Sequence, residues 1–172
     1  MTGTAVRFVD VYPIRIGSSG LEALILRRAA GVRCAGAWEA VHGRIEAAET
    51  PVAAALRELQ EETGLVPQRY YNLSRVESFY LHLTDEVALI PSFAAVIDSV
   101  EAPVLSHEHD RWSWLPLEQA IGQVAWPRER RALADIGVLL RTERPDPSKT
   151  CCACLSTPLP TPGSGQSQYS EV

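Results

Sequence analysis

Residues 43–65 read GRIEAAETPVAAALRELQEETGL, and this stretch predicts a helix with defined ends. Thr50 is a favoured N-cap residue, and Pro51 suits the first helical position, where its missing N–H costs nothing. Gly64 suits the C-terminal end, where helices commonly close with a left-handed residue. We therefore expect the helix to run between these residues.

The two sides of this helix differ in chemistry. Residues at helical spacing predict a largely apolar stripe that faces a core: Val52, Leu56, Leu59 and Thr63. Glu58, Glu61 and Glu62 share another side, where three like charges repel each other. A hard divalent cation such as Mg²⁺ or Mn²⁺ prefers oxygen ligands and would turn this repulsion into a binding site. A solvated acidic face is the alternative interpretation.

The spacing of the whole stretch resembles the Nudix box, G-x5-E-x7-R-E-U-x-E-E-x-G-U, in which U is aliphatic. Every fixed position is matched, by Gly43, Glu49, Arg57, Glu58, Glu61, Glu62 and Gly64. The resemblance implies a hydrolase of nucleoside diphosphates linked to another group, with the α/β fold of the family, an α/β/α sandwich around a mixed β-sheet. Weaker likeness extends over residues 5–140.

The resemblance also implies roles for the box residues. Family glutamates that match Glu58, Glu61 and Glu62 bind divalent ions, usually Mg²⁺ with Mn²⁺ as a substitute. In some members the one matching Glu58 is the base that activates water, so the identity of the base stays open. Arg57 is expected to orient a catalytic carboxylate with its rigid fork. Gly43 is expected to offer its backbone carbonyl to the metal.

A second acidic segment, His107-Glu108-His109-Asp110, precedes a pair of tryptophans. It resembles the family branch that hydrolyses dATP and dihydroneopterin triphosphate, which implies Glu108 as a fourth metal-side carboxylate. For His107 and His109, an idle surface position is the alternative to a role in the site. Glu49 is expected to complete the metal site or to brace Arg57.

Substrate binding is assigned by residue chemistry. The candidates are Trp38, Arg27, Arg28, Arg44 and Tyr80, with Trp126 and the arginines at 128, 130 and 131 as further possibilities. Aromatic faces accept any base, and guanidinium groups suit phosphate. Packing in the core is the alternative for the rings, and exposed solubilising charge is the alternative for the arginines.

The favoured function is a pyrophosphohydrolase that cleaves a nucleoside or pterin triphosphate to the monophosphate and pyrophosphate. A diadenosine polyphosphate hydrolase is the alternative enzyme, because that branch has a tyrosine at the distance of Tyr80 beyond the box. Nucleotide-sugar chemistry has less support, since the expected aromatic-proline and proline signatures are absent. A nucleotide-binding module without activity is the remaining alternative, and the complete set of box glutamates argues against it.

Composition limits the other classes of function. The chain has 172 residues, 46% of them hydrophobic, and a net charge of −5. This size allows one domain with a core, and the charge predicts no general attraction to nucleic acid or anionic membranes. No apolar run spans a membrane and no signal peptide is evident, so we expect a cytoplasmic protein with a small nucleotide as its partner. A homodimer stays open.

Residues 1–143 are expected to form the Nudix domain, and residues 144–172 a disordered tail rich in Pro, Ser, Thr and Gly. The tail contains Cys151, Cys152 and Cys154. Cys151 and Cys154 have the spacing of a metal site, but they lack a second pair and a nearby histidine, so ordinary reduced thiols are expected and a zinc site is the alternative. Strands are expected at 5–16, 21–28, 37–42, 75–83, 87–97 and 111–115, and helices at 116–123 and 127–141. Pro13 is expected at an edge or a bulge, and Pro91 at a bulge.

Overall fold

The computed structural model describes residues 2–18, 20–98 and 101–141. For Arg141 it describes the backbone only. The expected tail from residue 144, its boundary and Cys151, Cys152 and Cys154 lie outside the described residues. Within the described ranges, no helix has both the length and the apolar character needed to cross a membrane.

The chain alternates strands with three helices. The strands are β1 (Gly3–Val6), β2 (Phe8–Gly17), β3 (Gly20–Arg28), β4 (Trp38–Glu39), β5 (Val41–Arg44), β6 (Arg69–Leu81), β7 (Glu86–Val96) and β8 (His109–Pro116). The helices are α1 (Pro51–Thr63), α2 (Leu117–Gln123) and α3 (Pro127–Arg141).

The strands form one mixed sheet. Its main path runs β1-β7-β2-β3-β4, with β5 paired to β2, β6 to β7 and β8 to β3. β7 pairs in parallel with both β1 and β2, and the other pairs are antiparallel. The pairing of Val9 with Gly43 places the start of the acidic stretch beside the middle of the sheet.

Helices cover both faces of this sheet. On one face, α1 packs on β2 and β5 over a core that includes Val9 and Val11. On the other face, α2 and α3 pack over a core that includes Tyr12 and Ile14. Successive residues of a strand point to opposite faces, so β2 supplies both cores. The α/β/α sandwich with a mixed sheet is therefore confirmed.

Several predicted boundaries are wrong. The single strand expected over 5–16 is divided, because β1 and β2 pair with successive segments of β7. The strand expected over 75–83 begins earlier, at Arg69, and contains a register shift between Asn72 and Arg75. The irregularity in the pairing of β6 with β7 thus lies in β6. The bulge expected at Pro91 is not found there, because Pro91 pairs with Val76.

Pro13 does not lie at an edge of the sheet. It pairs with Ala95 of β7, while the other side of β2 pairs with β5 as far as Val11 and with β3 from Ile14. Pro13 therefore falls between two paired segments, where a missing N–H removes no ladder hydrogen bond on that side.

Candidate active site

Helix α1 has the ends that the sequence predicts. The Thr50 side chain accepts a hydrogen bond from the Ala53 N–H at 3.2 Å, and Gly64 closes the helix with a φ of 69°. Leu59 and Thr63 are buried, as the expected apolar stripe requires. The helix therefore presents its glutamates at a fixed angle to the strand that ends at Arg44.

Arg57 joins the acidic groups around the start of α1. Its Nε and Nη2 atoms donate to the two carboxylate oxygens of Glu49, each at 3.0 Å, and Nη2 donates to the Arg44 carbonyl at 2.8 Å. Its Nη1 donates to Glu58 at 2.9 Å and to Glu61 at 3.0 Å. The hydrogen bonds from Arg57 lower the pKa of Glu49. Arg57 thus holds the carboxylates of Glu49, Glu58 and Glu61 together.

Glu58 lies in a space that only a glycine at position 43 leaves open. A Cβ atom on Gly43 would stand 1.9 Å from Cδ of Glu58. The carboxylate accepts the Arg44 N–H at 3.1 Å, which holds it against the end of β5. Burial raises the pKa of Glu58, although Arg57 partly offsets this effect.

Glu62 is the buried carboxylate of the group. Its exposure is 5%, and its Oε2 has no hydrogen-bond partner. Burial raises the pKa of Glu62 well above its ordinary value, and the charges of Glu58, Glu39 and Glu108 add to the rise. Glu61, by contrast, has a side chain 58% exposed. A buried carboxylate oxygen without a donor is costly unless a cation compensates it.

A buried hydrogen-bond network that the sequence did not predict centres on Glu39. Its Oε1 accepts from Arg28 Nη1 at 2.6 Å and lies 3.3 Å from His109 Nε2, while its Oε2 accepts from the Trp126 indole at 2.9 Å. Burial would raise the pKa of Glu39, but the hydrogen bonds from these three partners outweigh it and hold the value at about 2. The sequence signal that could have identified Glu39 as a site residue was a carboxylate within a short buried strand.

This network reaches both acidic segments of the site. Nδ1 of His109 lies 3.8 Å from Oε2 of Glu62, and Nη2 of Arg28 lies 3.6 Å from Oε2 of Glu108. The structure therefore brings Glu108 to the same region as the α1 glutamates. His109 is buried within the site, and His107 is exposed.

A second buried network centres on Asp10. Its Oδ1 lies 2.6 Å from His42 Nδ1, and its Oδ2 accepts from Arg128 Nε at 2.9 Å. Burial opposes ionisation of Asp10, but His42 and Arg128 outweigh it and lower the pKa. The His42 ring also stacks on Phe8 at 5.3 Å between centroids.

Both networks line one cleft of about 700 Å³. Its charged and aromatic lining comprises Arg28, Arg33, Arg44, Arg128, Arg131, Glu39, Glu108, Phe8, His42, Phe79 and Trp126, and Gly43 is also in the wall. Carboxylates pair with Arg28, Arg128 and Arg131. Within the described ranges, Arg33 and Arg44 have no ion-pair partner, so both are free to bind an anion.

Three of the predicted substrate residues lie outside this lining. Arg27 makes two hydrogen bonds of 2.7 Å to Asp110. Trp38 packs against the core on the side of α2 and α3. Tyr80 is 57% exposed, and its hydroxyl donates to Asp85. Of the predicted substrate contacts, Arg28 and Arg44 line the cleft, and so do Trp126, Arg128 and Arg131 among the further possibilities, whereas Arg130 does not.

The residues around Glu62 and Gly43 fit a divalent cation. The free oxygen of Glu62 and the space left by Gly43 are the two observations that favour it. Side chains in the described part of the chain form no cluster of three or more metal-binding groups. Glu58 and Glu61 are turned toward Arg57 instead, so a cation would compete with this arginine for their oxygens.

Comparisons with known proteins show the family to which the chain belongs. A family model described as the NUDIX domain matches residues 7–136. The 8-oxo-dGTP diphosphatase of Escherichia coli K12 is 45% identical over 56 residues, which cover 33% of this chain and 43% of that enzyme. The asymmetrical bis(5'-nucleosyl)-tetraphosphatase of Mus musculus is 30% identical over 128 residues, 72% of this chain and 82% of that enzyme.

A solved structure shows the same fold. The E. coli dihydroneopterin triphosphate pyrophosphohydrolase superposes with a TM-score of 0.62 at 21% identity. The superposition covers 77% of this chain and 94% of that one. The match to the diphosphatase, in contrast, spans less than half of that enzyme's length.

Proposed function

Because the chain belongs to the Nudix family and is a Nudix hydrolase, we propose that it cleaves a nucleoside or pterin triphosphate to the monophosphate and pyrophosphate. The observation that carries this proposal is the unpartnered, buried Oε2 of Glu62, which His109 connects to Glu39 in the wall of the arginine-lined cleft. A catalytic carboxylate without a protein partner, beside a site for anions, suits metal-assisted hydrolysis of a phosphoric anhydride.

The cofactor is Mg²⁺, with Mn²⁺ as a substitute. Its ligands would be drawn from Glu58, Glu61, Glu62, Glu108 and the carbonyl of Gly43. A bound divalent cation lowers the pKa of water and neutralises charge on the pyrophosphate.

The protein's own groups orient the reactants. Arg57 donates to Oε1 of Glu58 at 2.9 Å and so orients this carboxylate, which would accept a proton from the attacking water if it is not taken up as a metal ligand. Arg33 and Arg44 bind the phosphates, since neither is occupied by a carboxylate of the described residues. Trp126 offers its ring to the base or pterin, while its N–H is held by Glu39.

The test is phosphate release over a substrate panel in Mg²⁺, with and without added inorganic pyrophosphatase. The panel contains nucleoside triphosphates, dihydroneopterin triphosphate, diadenosine polyphosphates and ADP-ribose. If phosphate is released from a triphosphate only when pyrophosphatase is present, the product of the enzyme is pyrophosphate. Release from a triphosphate without the coupling enzyme would contradict cleavage at the proposed bond.

The matched variant is Glu62→Gln, which keeps the shape and removes the charge. We expect a loss of turnover of about 10³-fold or more, because metal-assisted charge stabilisation is worth several kcal/mol. Glu46→Gln serves as the control, since Glu46 is exposed. Equal turnover by wild type and Glu62→Gln would contradict the catalytic role of the box.

Hydrolysis of a dinucleoside polyphosphate is the second candidate. It is favoured by the mouse relative, whose name states that activity and whose alignment extends over 82% of its length. The same residues would then act on a longer substrate. Activity in the panel confined to diadenosine polyphosphates would select this candidate and leave the catalytic assignments unchanged.

A further inference from the structure

Arg128 lies in the wall of the cleft with one side of its guanidinium group fixed. Its Nε donates to Oδ2 of Asp10 at 2.9 Å and its Nη2 to Oδ1 at 3.4 Å, so the two groups meet side by side. Asp10 is fully buried and lies behind the lining of the cleft, whereas the side chain of Arg128 is 16% exposed. The buried carboxylate therefore holds the guanidinium in one orientation.

The outer edge of this guanidinium, away from Asp10, consists of Nη1 and the second N–H of Nη2. In the part of the chain that the structure describes, Nη1 has no hydrogen-bond partner. The remaining contacts of Nη2 are long, 3.4 Å to Oε1 of Glu129 and 3.5 Å to Nδ1 of His42. Hydrogen bonds from N–H to oxygen usually span about 2.7–3.2 Å, so this N–H is weakly held. Arg128 thus offers two adjacent donors to a ligand in the cleft.

The charge of Arg128 is paired, unlike that of the arginines assigned to the phosphates. Asp10 neutralises Arg128 at contact distance, while Arg33 and Arg44 have no ion-pair partner among the described residues. A phosphate is a charged acceptor and gains most from an unpaired cation. An arginine whose charge is already paired suits an uncharged acceptor, such as a carbonyl oxygen or a nitrogen of a flat ring.

A surface for stacking lies beside this outer edge. Cζ of Arg128 stands 5.7 Å from the centre of the Trp126 ring, and both side chains line the cleft. The indole N–H of Trp126 donates to Glu39 at 2.9 Å, which fixes the ring. A flat ring that stacks on Trp126 would bring its edge to Arg128. Stacking accepts any base, so the choice among bases falls to the group that meets the edge.

We propose that Arg128 is a specificity-determining residue that binds two adjacent acceptors on the substrate ring, so that the cleft selects an oxo-substituted fused ring over adenine. Guanine offers O6 and N7, a pair that arginine binds with two N–H groups. The 4-oxo group and N5 of a dihydropterin form an equivalent pair. Adenine has its N6 amino group beside N7, so one donor of Arg128 would face another donor. This inference rests on the proposed function for the phosphate side of the substrate.

The first experiment measures the binding of monophosphates to wild type by calorimetry in Mg²⁺. A monophosphate has no anhydride bond, so hydrolysis does not enter. We expect GMP or dihydroneopterin monophosphate to bind about tenfold or more tightly than AMP, and the tighter of the two identifies the source of the ring. AMP that binds as tightly as both, or no binding of either oxo ring, would overturn the inference.

Arg128→Lys tests the outer edge. Lysine keeps a positive charge for Asp10 and loses the planar fork, so the buried carboxylate stays paired. We expect the preference for the oxo ring over AMP to fall to within about threefold, while the affinity for AMP changes little. Arg69→Lys is the control, since Arg69 is exposed, and thermal unfolding shows whether each variant is folded. An equal loss of affinity for all three ligands would assign Arg128 a structural role and overturn the inference.

A second measurement changes the ligand and leaves the protein intact. For guanine the analogue is 7-deazaguanosine monophosphate, and for the pterin it is the 5-deaza compound; each has a carbon in place of the ring nitrogen. We expect wild type to bind the analogue about tenfold more weakly than the parent ring, and Arg128→Lys to bind the two alike. Equal binding of parent and analogue by wild type would overturn the inference, whatever the variant does.

These experiments separate the inference from the proposed function. If the substrate panel shows no cleavage of any triphosphate, the proposed function fails, and the binding of monophosphates still decides the role of Arg128. If a triphosphate is cleaved but the wild type prefers adenine, the proposed function stands and the inference fails.

Discussion

Gly43 and Glu58, which belong to different elements, are in direct contact: a Cβ on residue 43 would stand 1.9 Å from the carboxyl carbon of Glu58. The glycine in β5 therefore leaves the room that the Glu58 side chain of α1 occupies. No left-handed φ is recorded for Gly43, so its role is to leave space for the carboxylate.

The first prediction concerns Gly43→Ala. The added methyl group displaces the flexible Glu58 side chain and leaves the backbone in place, so we expect turnover to fall about 10²-fold, as misplacement of a reacting group by about 1 Å does. Thermal unfolding should change little. Gly122→Ala is the control, because a Cβ there meets no atom within 4 Å. Similar kinetics for both variants would contradict the space requirement.

The second prediction concerns Arg57→Lys. Lysine keeps the charge and loses the planar fork that bonds Glu49, Glu58 and the Arg44 carbonyl together. We expect a fall in kcat of about 10- to 100-fold, the usual effect of removing a partner of a metal ligand. Steady-state kinetics check this, with the exposed Arg69→Lys as control. Full activity of the Lys variant would show that charge alone suffices.

The third prediction compares two arginines that the sequence treats alike. Arg44 lines the cleft without an ion pair among the described residues, whereas Arg27 is bound to Asp110. A hydrogen bond to a charged group contributes about 1.5–3 kcal/mol, so Arg44→Ala should raise KM at least about tenfold. Arg27→Ala should leave KM nearly unchanged. The reverse order of effects would place the phosphates elsewhere.

The fourth prediction concerns stability against pH in the absence of metal. Burial raises the pKa of Glu62 well above the value of about 4.5 in the unfolded chain, so the folded state binds this proton more tightly. The resulting stabilisation is fully present below pH 4.5 and is lost as pH rises through the folded pKa. Relative to Glu62→Gln, wild type should therefore become less stable as pH rises.

Urea unfolding in EDTA at pH 4 and pH 8 measures this difference. Adding Mg²⁺ at pH 8 should raise the unfolding free energy of wild type and change that of Glu62→Gln little, because a ligand stabilises only the state that binds it. A difference in unfolding free energy that is independent of pH would contradict the burial of an unpaired carboxylate.

The sequence by itself determined helix α1 and its chemistry. Caps, apolar spacing and the positions of the glutamates are local properties, set within a few residues by helix geometry. The Nudix family followed from that stretch, and so did the bracing of Glu58 by Arg57, which are neighbours in the chain. The sandwich of helices on a mixed sheet followed from the same resemblance.

Only the tertiary structure decided which other side chains reach the site. Glu39 meets His109 across 70 positions of sequence, through the pairing of β3 with β4 and β8. It meets Trp126 across 87 positions, where the Ala125 N–H donates to the Trp38 carbonyl. Periodicity carries no information about such register, so it could not separate Arg27 from Arg28. The pairing of β3 with β8 shifts register between these two neighbours, and the structure places Arg28 in the wall of the cleft and Arg27 outside it, paired with Asp110.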